Sequence, residues 1–66
     1  VGASPMRHLN RLRIERACDL LRKTTLNVGE VAHAVGFSDP LHFSRVFRRQ
    51  VGLPPSAWRR ASDRPR

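Results

Sequence analysis

Apolar residues along this chain recur at the 3.6-residue spacing of amphipathic helices. From Pro5 to about Lys23, the residues Met6, Leu9, Ile14, Ala17, Cys18, Leu20 and Leu21 gather on one side of a helical wheel. Ser4 is a good N-cap for this helix, and Pro5 at its first position costs no hydrogen bond. Asn10 and Arg13 fall on the same apolar side, so the pattern predicts partners for them or a neighbour outside this chain. Arg11, Glu15, Asp19 and Lys23 form a stripe on the opposite side, with Arg11–Glu15 and Asp19–Lys23 at pairing distance of four residues. That stripe reads as a solvated face.

Thr24 to Leu26 break the helix. Asn27 followed by Glu30 predicts a capping box, and Val28, Val31, Ala32 and Val35 the buried side of a short second helix that ends at Gly36. Ser38 or Asp39 caps a third helix with Pro40 in its first turn. Phe43, Val46, Phe47 and either Gln50 or Val51 supply its inward stripe, and Gly52 stops it. Leu53-Pro54-Pro55 is a rigid connector to a short last helix around Ser56 to Arg60. The tail, Ala61 to Arg66, has nothing apolar to bury and is expected to fray. The fold class is all-α: a long helix over residues 5–24, then a helix pair and a short last helix over 27–60.

Two helices joined through a glycine form many hairpins. The schedule Val31, Ala32, Val35, Gly36, Phe37, Phe43 and Val46 is narrower. A small residue at the crossing, glycine in the turn and an apolar residue after it allow steep packing, the helix-turn-helix arrangement. The second helix of such a pair stands out from the body and can enter a groove about 12 Å wide. With Phe43 and Phe47 inward, the expected outward positions are Leu41, His42, Ser44, Arg45, Arg48 and Arg49, with Asp39 alone offsetting their charge. The expected core is Ala32, Gly36, Phe37, Phe43, Val46, Phe47 and Trp58. The aromatic residues belong there because each takes an inward position.

Charge strengthens this reading. Thirteen basic against five acidic residues give +8 over 66 residues, and twelve of the thirteen are Arg. The planar guanidinium suits phosphate and guanine edges, which points to a polyanionic partner. The single cysteine, Cys18, cannot form an internal disulfide and suits a reducing cytoplasm. His8, His33 and His42 lack metal-ligand spacing, so no metal or cofactor is expected. No paired carboxylates, Ser/His/Asp set or phosphate-binding glycine loop is present, which argues against an enzyme. A basic amphipathic module for membranes or protein partners is the competing class. Against it, the apolar face of the first helix is needed to cover the two short helices.

The stretch Val31-Ala32-His33-Ala34-Val35-Gly36-Phe37-Ser38-Asp39-Pro40-Leu41-His42-Phe43-Ser44-Arg45-Val46-Phe47 resembles the C-terminal signature of the AraC/XylS family of bacterial transcription regulators. So does Gly52-Leu53-Pro54-Pro55-Ser56-Ala57-Trp58-Arg59, with Trp58 where the family often has Tyr. Ser4-Pro5, Leu9, Arg13-Ile14, Ala17 and Leu20-Leu21 resemble the linker helix between that family's two helix-turn-helix units. The resemblance marks a recognition helix, about Asp39–Val51, with Pro40, Leu41, Ser44 and Arg45 facing bases. It sets His42 nearer the phosphate backbone, while Arg48 and Arg49, read from their own positions, are phosphate contacts or a solvated last turn. It implies double-stranded operator or promoter DNA as partner, with contact to RNA polymerase compatible, and an activator or repressor role. It also implies an effector acting only through a regulatory domain outside this chain. An internal echo agrees: Val1-Gly2-Ala3-Ser4-Pro5 recurs fifty residues later as Val51-Gly52-Leu53-Pro54-Pro55. Residues 1–4 are therefore expected to end a preceding unit of the same kind.

Overall fold

Asn27 and Asp39 decide where the two short helices begin. The Asn27 carboxamide accepts from the Glu30 amide at 2.8 Å, and the Glu30 carboxylate accepts from the Asn27 amide at 2.9 Å. The Asp39 carboxylate accepts from the Leu41 amide at 3.0 Å, so Asp39 and not Ser38 is the cap. The structure, a computed structural model, describes residues 5–62. In it α1 spans Pro5–Lys23, α2 Val28–Ala34, α3 Pro40–Val51 and α4 Pro55–Ser62. The fold is all-α among the described residues, and α4 continues two residues past its expected end at Arg60. Ser4, the first copy of the echo and the last four residues of the tail lie outside the described residues.

All four helices meet around Ile14, Ala17 and Leu21 of α1, Val31, Ala32 and Val35, Phe37 in the turn, and Phe43 and Phe47 of α3. Aromatic rings run through this core in a chain of edge-on and tilted contacts. Phe37 to Phe43 is 5.3 Å, Phe43 to Phe47 is 5.7 Å, and Phe47 to Trp58 is 6.1 Å between centroids. Val46 and Trp58 are half-buried at the rim and not fully inside as expected, since each covers the core from one side only. Val51, not Gln50, completes the inward stripe of α3; Gln50 is exposed. Gly36 is likewise exposed. Its part is conformational: it takes φ +99°, which turns the chain from α2 toward α3.

Arg59 ties the last helix to the first. Its Nε donates to the Leu21 carbonyl at 3.0 Å and an Nη donates to the Thr24 carbonyl at 3.2 Å. A guanidinium there satisfies carbonyls left open at the end of α1 and sits at the negative pole of its dipole. The Thr24 hydroxyl closes the same turn by donating to the Leu20 carbonyl at 2.6 Å.

Arg13, placed by the pattern on the apolar side of α1, finds its partner within the chain. The Glu30 and Asp39 carboxylates cap their own helices. The guanidinium of half-buried Arg13 lies over the Phe37 ring, 5.5 Å from its centroid. The expected i,i+4 pairs on α1 give way. Asp19 pairs with Arg22 at 3.0 Å, three residues on, and no described ion pair joins Arg11 to Glu15.

Gly36 and Gly52 both hold positive φ, yet their surroundings differ. A Cβ on Gly36 would come within 3.3 Å of Arg13 Nε, whereas one on Gly52 would meet nothing within 4 Å. Each Gly→Ala change should cost about 1–2 kcal/mol from the backbone alone. Denaturant melts should show the larger loss at Gly36, and Arg13→Ala should remove the difference between the two sites. Equal losses with Arg13 in place would contradict its contact with the turn.

Candidate nucleic-acid interface

Phe43 and Phe47 fix the rotation of α3. Both are fully buried, one turn apart. Arg45 lies two residues from each, about 200° around the helix from either, which aims it straight away from the core. Leu41 is 72% exposed on the same outward side. Arg48 and Arg49 are exposed in the last turn, where cations also complement the helix dipole. Pro40 is exposed at the first position of the helix.

Two expected positions differ in detail. Ser44 is half-buried and sits on the shoulder of the helix, because it lies near the Phe47 side of the wheel. His42 is exposed, with its ring edge-on to Phe37 at 5.5 Å, which holds it over the turn beside Gly36. His42, Arg45, Arg48 and Arg49 thus surround one shallow concave surface with Val46 at its floor. No carboxylate among the described residues lines it. The surface can therefore bind anions and present hydrogen-bond donors to an edge inserted against it.

Sequence reasoning had no access to Arg59 as the clasp of α4 on α1. Its acceptors are 38 and 35 residues away, and no local spacing encodes that. It also passed over Leu12, which is 49% exposed on a face of α1 separate from the core stripe. A 3.6-residue plot continued beyond one face would have found Leu9 and Leu12 together. Cys18 is half-buried, and burial foremost, with Asp19 beside it, holds its thiol above the ordinary value. That disfavours the thiolate. No helix among the described residues is long and apolar enough to cross a membrane.

Comparison with known proteins places this arrangement. A family model described as a helix-turn-helix domain matches residues 1–61. The chain is 45% identical over 58 residues to the MmsAB operon regulatory protein of Pseudomonas aeruginosa, covering 88% of this chain and 19% of that protein. It is 44% identical over 62 residues to the transcriptional activator RhaS of Escherichia coli, covering 94% and 22% respectively. In three dimensions it matches the crystal structure of the DNA-binding domain of AdpA, a global transcriptional factor, in complex with a target DNA. The TM-score is 0.87 at 38% identity, over 92% of this chain and 55% of that one. Fold and surface together define a helix-turn-helix domain of the DNA-binding transcription-regulator class. The chain belongs to the AraC/XylS family. It spans about one fifth of the length of the curated relatives it matches.

The geometry separates residues that hold the fold from residues that form the surface. Phe43→Ala should cost about 3–5 kcal/mol, enough to unfold so small a domain. Leu41→Ala and Arg45→Ala should each stay within about 0.5 kcal/mol of the parent in thermal melts. A large loss at Leu41 or Arg45 would mean that α3 turns a different face to the core.

Proposed function

We propose that α3 enters the major groove of operator DNA and that this domain serves a bacterial, cytoplasmic transcription regulator by sequence-specific binding. The observation that carries the reading is the division of α3 into a buried aromatic face and an exposed face of arginines. The likeness to the AdpA domain, described in complex with a target DNA, supports it. Arg45 reads a base edge, where a guanidinium matches guanine O6 and N7. Leu41 offers its exposed side chain to a thymine methyl, with Pro40 beside it at the helix start. Ser44 reaches the same groove from the shoulder. His42, Arg48 and Arg49 hold phosphates and set the register. No catalysis and no cofactor enter this reading.

The regulator as a whole carries a second recognition helix, supplied by a preceding helix-turn-helix unit. The fifty-residue echo supports this, as does the start of α1, where Met6 is 59%, Leu9 38% and Leu12 49% exposed. An effector then acts through a separate regulatory domain, and RNA polymerase is a further partner.

Neutralising three to five phosphates should make log affinity fall with log salt at a slope of roughly −3 to −4.5. A slope near zero would contradict the electrostatic footprint. Arg45→Ala should cost about 1–3 kcal/mol and relax the preference at one operator position. An equal loss on every sequence would make Arg45 a phosphate contact instead, and unchanged affinity would remove it from the interface. Equal binding to anionic vesicles and to duplex at one salt concentration would favour the membrane alternative.

The two-unit reading has its own test. The 66-residue chain alone should bind operator weakly, near the non-specific range of about 10⁻⁴ to 10⁻⁶ M. A form extended upstream by one further unit should bind at least about 10²-fold more tightly, because the second contact becomes intramolecular. Equal, tight, specific binding by both would show that this domain suffices by itself.

A further inference from the structure

The first half of α1 is rich in basic residues. From Pro5 to Ile14 it holds Arg7, His8, Arg11 and Arg13 and no acidic residue. Its first turn contains no carboxylate, although that is the end of a helix where anions are favoured and cations opposed. Arg13 is accounted for by the Phe37 ring. Arg7 and Arg11 lie one turn apart and face a cleft whose other wall is Arg49 and Gln50 of α3, with Asn10 beside them and Val46 at the floor. Three guanidiniums border this cleft, and no carboxylate among the described residues does. Glu15, which the sequence offers Arg11 as a partner, makes no described ion pair with it. Farther along the same helix, Asp19 and Arg22 pair at 3.0 Å.

Val46 and Arg49 also line the concave surface formed by His42, Arg45 and Arg48. The two basic surfaces are therefore one strip, running from the outward face of α3 to the start of α1. A twelve-residue helix is about 18 Å long. When its first turn meets base edges, its last turn stands beside the strand that borders the groove. From this continuity we infer that the α1–α3 cleft seats the phosphates of that strand, held by Arg7 and Arg11 from α1 and by Arg49 from α3. The inference rests on α3 occupying the major groove, and it moves Arg11 from a solvated stripe into the interface. The cleft fixes the approach of α3 along its axis, since contacts on a second helix resist rocking about the first. It carries no base preference of its own.

The test compares the parent chain with Arg7→Ala/Arg11→Ala, Arg7→Lys/Arg11→Lys and Arg16→Ala, each on one duplex across a salt series. Arg16 is an exposed arginine of α1 that borders a different groove, with Leu9 and Leu12. Loss of two phosphate contacts should reduce the magnitude of the salt slope by about 1.8 in the double alanine variant. The lysine variant and Arg16→Ala should keep the parent slope, and base preference should be unchanged throughout. Uncharged methylphosphonates placed singly along the bordering strand should weaken the parent but not the double alanine variant at one or two positions. A parent slope in the double alanine variant, or an equal reduction in Arg16→Ala, would overturn the seat while leaving the role of Arg45 intact. Absence of duplex binding by the parent would instead overturn the groove reading beneath it. Matching thermal melts exclude misfolding as the cause of any loss.

Discussion

Burial of Phe43 and Phe47 is the constraint from which the rest of this domain follows. Helices of seven, twelve and eight residues are marginal or worse in isolation. They persist because two phenylalanines of α3 fill the space between α1 and α2 and extend the aromatic chain to Trp58 of α4. The same contact determines function. Fixing two inward positions one turn apart leaves α3 a single rotation, and that rotation turns Arg45 outward. A basic face aimed at a groove is thus a geometric result of packing on the opposite side.

The polar residues refine this arrangement. Asn27 and Asp39 start α2 and α3 at defined residues, and a shift of one residue in either start would rotate every following side chain by about 100°. Gly36 supplies the backbone conformation between them, and Arg13 closes over the turn by lying on Phe37. Arg59 holds α4 against the end of α1. Each of these groups is used in the fold, which leaves Arg45, Arg48 and Arg49 for the surface.

Much of this was legible in the sequence wherever the signal was local. Caps, helix spans and inward aromatics depend on neighbours three or four residues away, so Asn27, Phe43 and Phe47 could be read directly, the cap of α3 narrowed to Ser38 or Asp39, and Gly36 placed at the turn. The AraC/XylS signature from Val31 to Phe47 added the orientation of α3. What escaped depends on contacts between distant segments. Arg13 could be seen to need a partner, yet its spacing did not name the Phe37 ring. Arg59 acts across more than thirty residues. Arg11 looked paired on a wheel, whereas the fold places it opposite Arg49. Spacing on one helix does not report what a neighbouring helix brings to it.

The central claim is that the outward face of α3, continued by the start of α1, is the surface on which DNA lies. Backbone amide shift mapping by NMR during titration with duplex addresses it residue by residue. The largest changes are expected at Leu41, Arg45, Arg48 and Arg49, with a second group at Arg7 and Arg11, and small changes at Leu21 and Ala34. Changes concentrated instead around Leu9, Leu12 and Arg16, with α3 undisturbed, would contradict it.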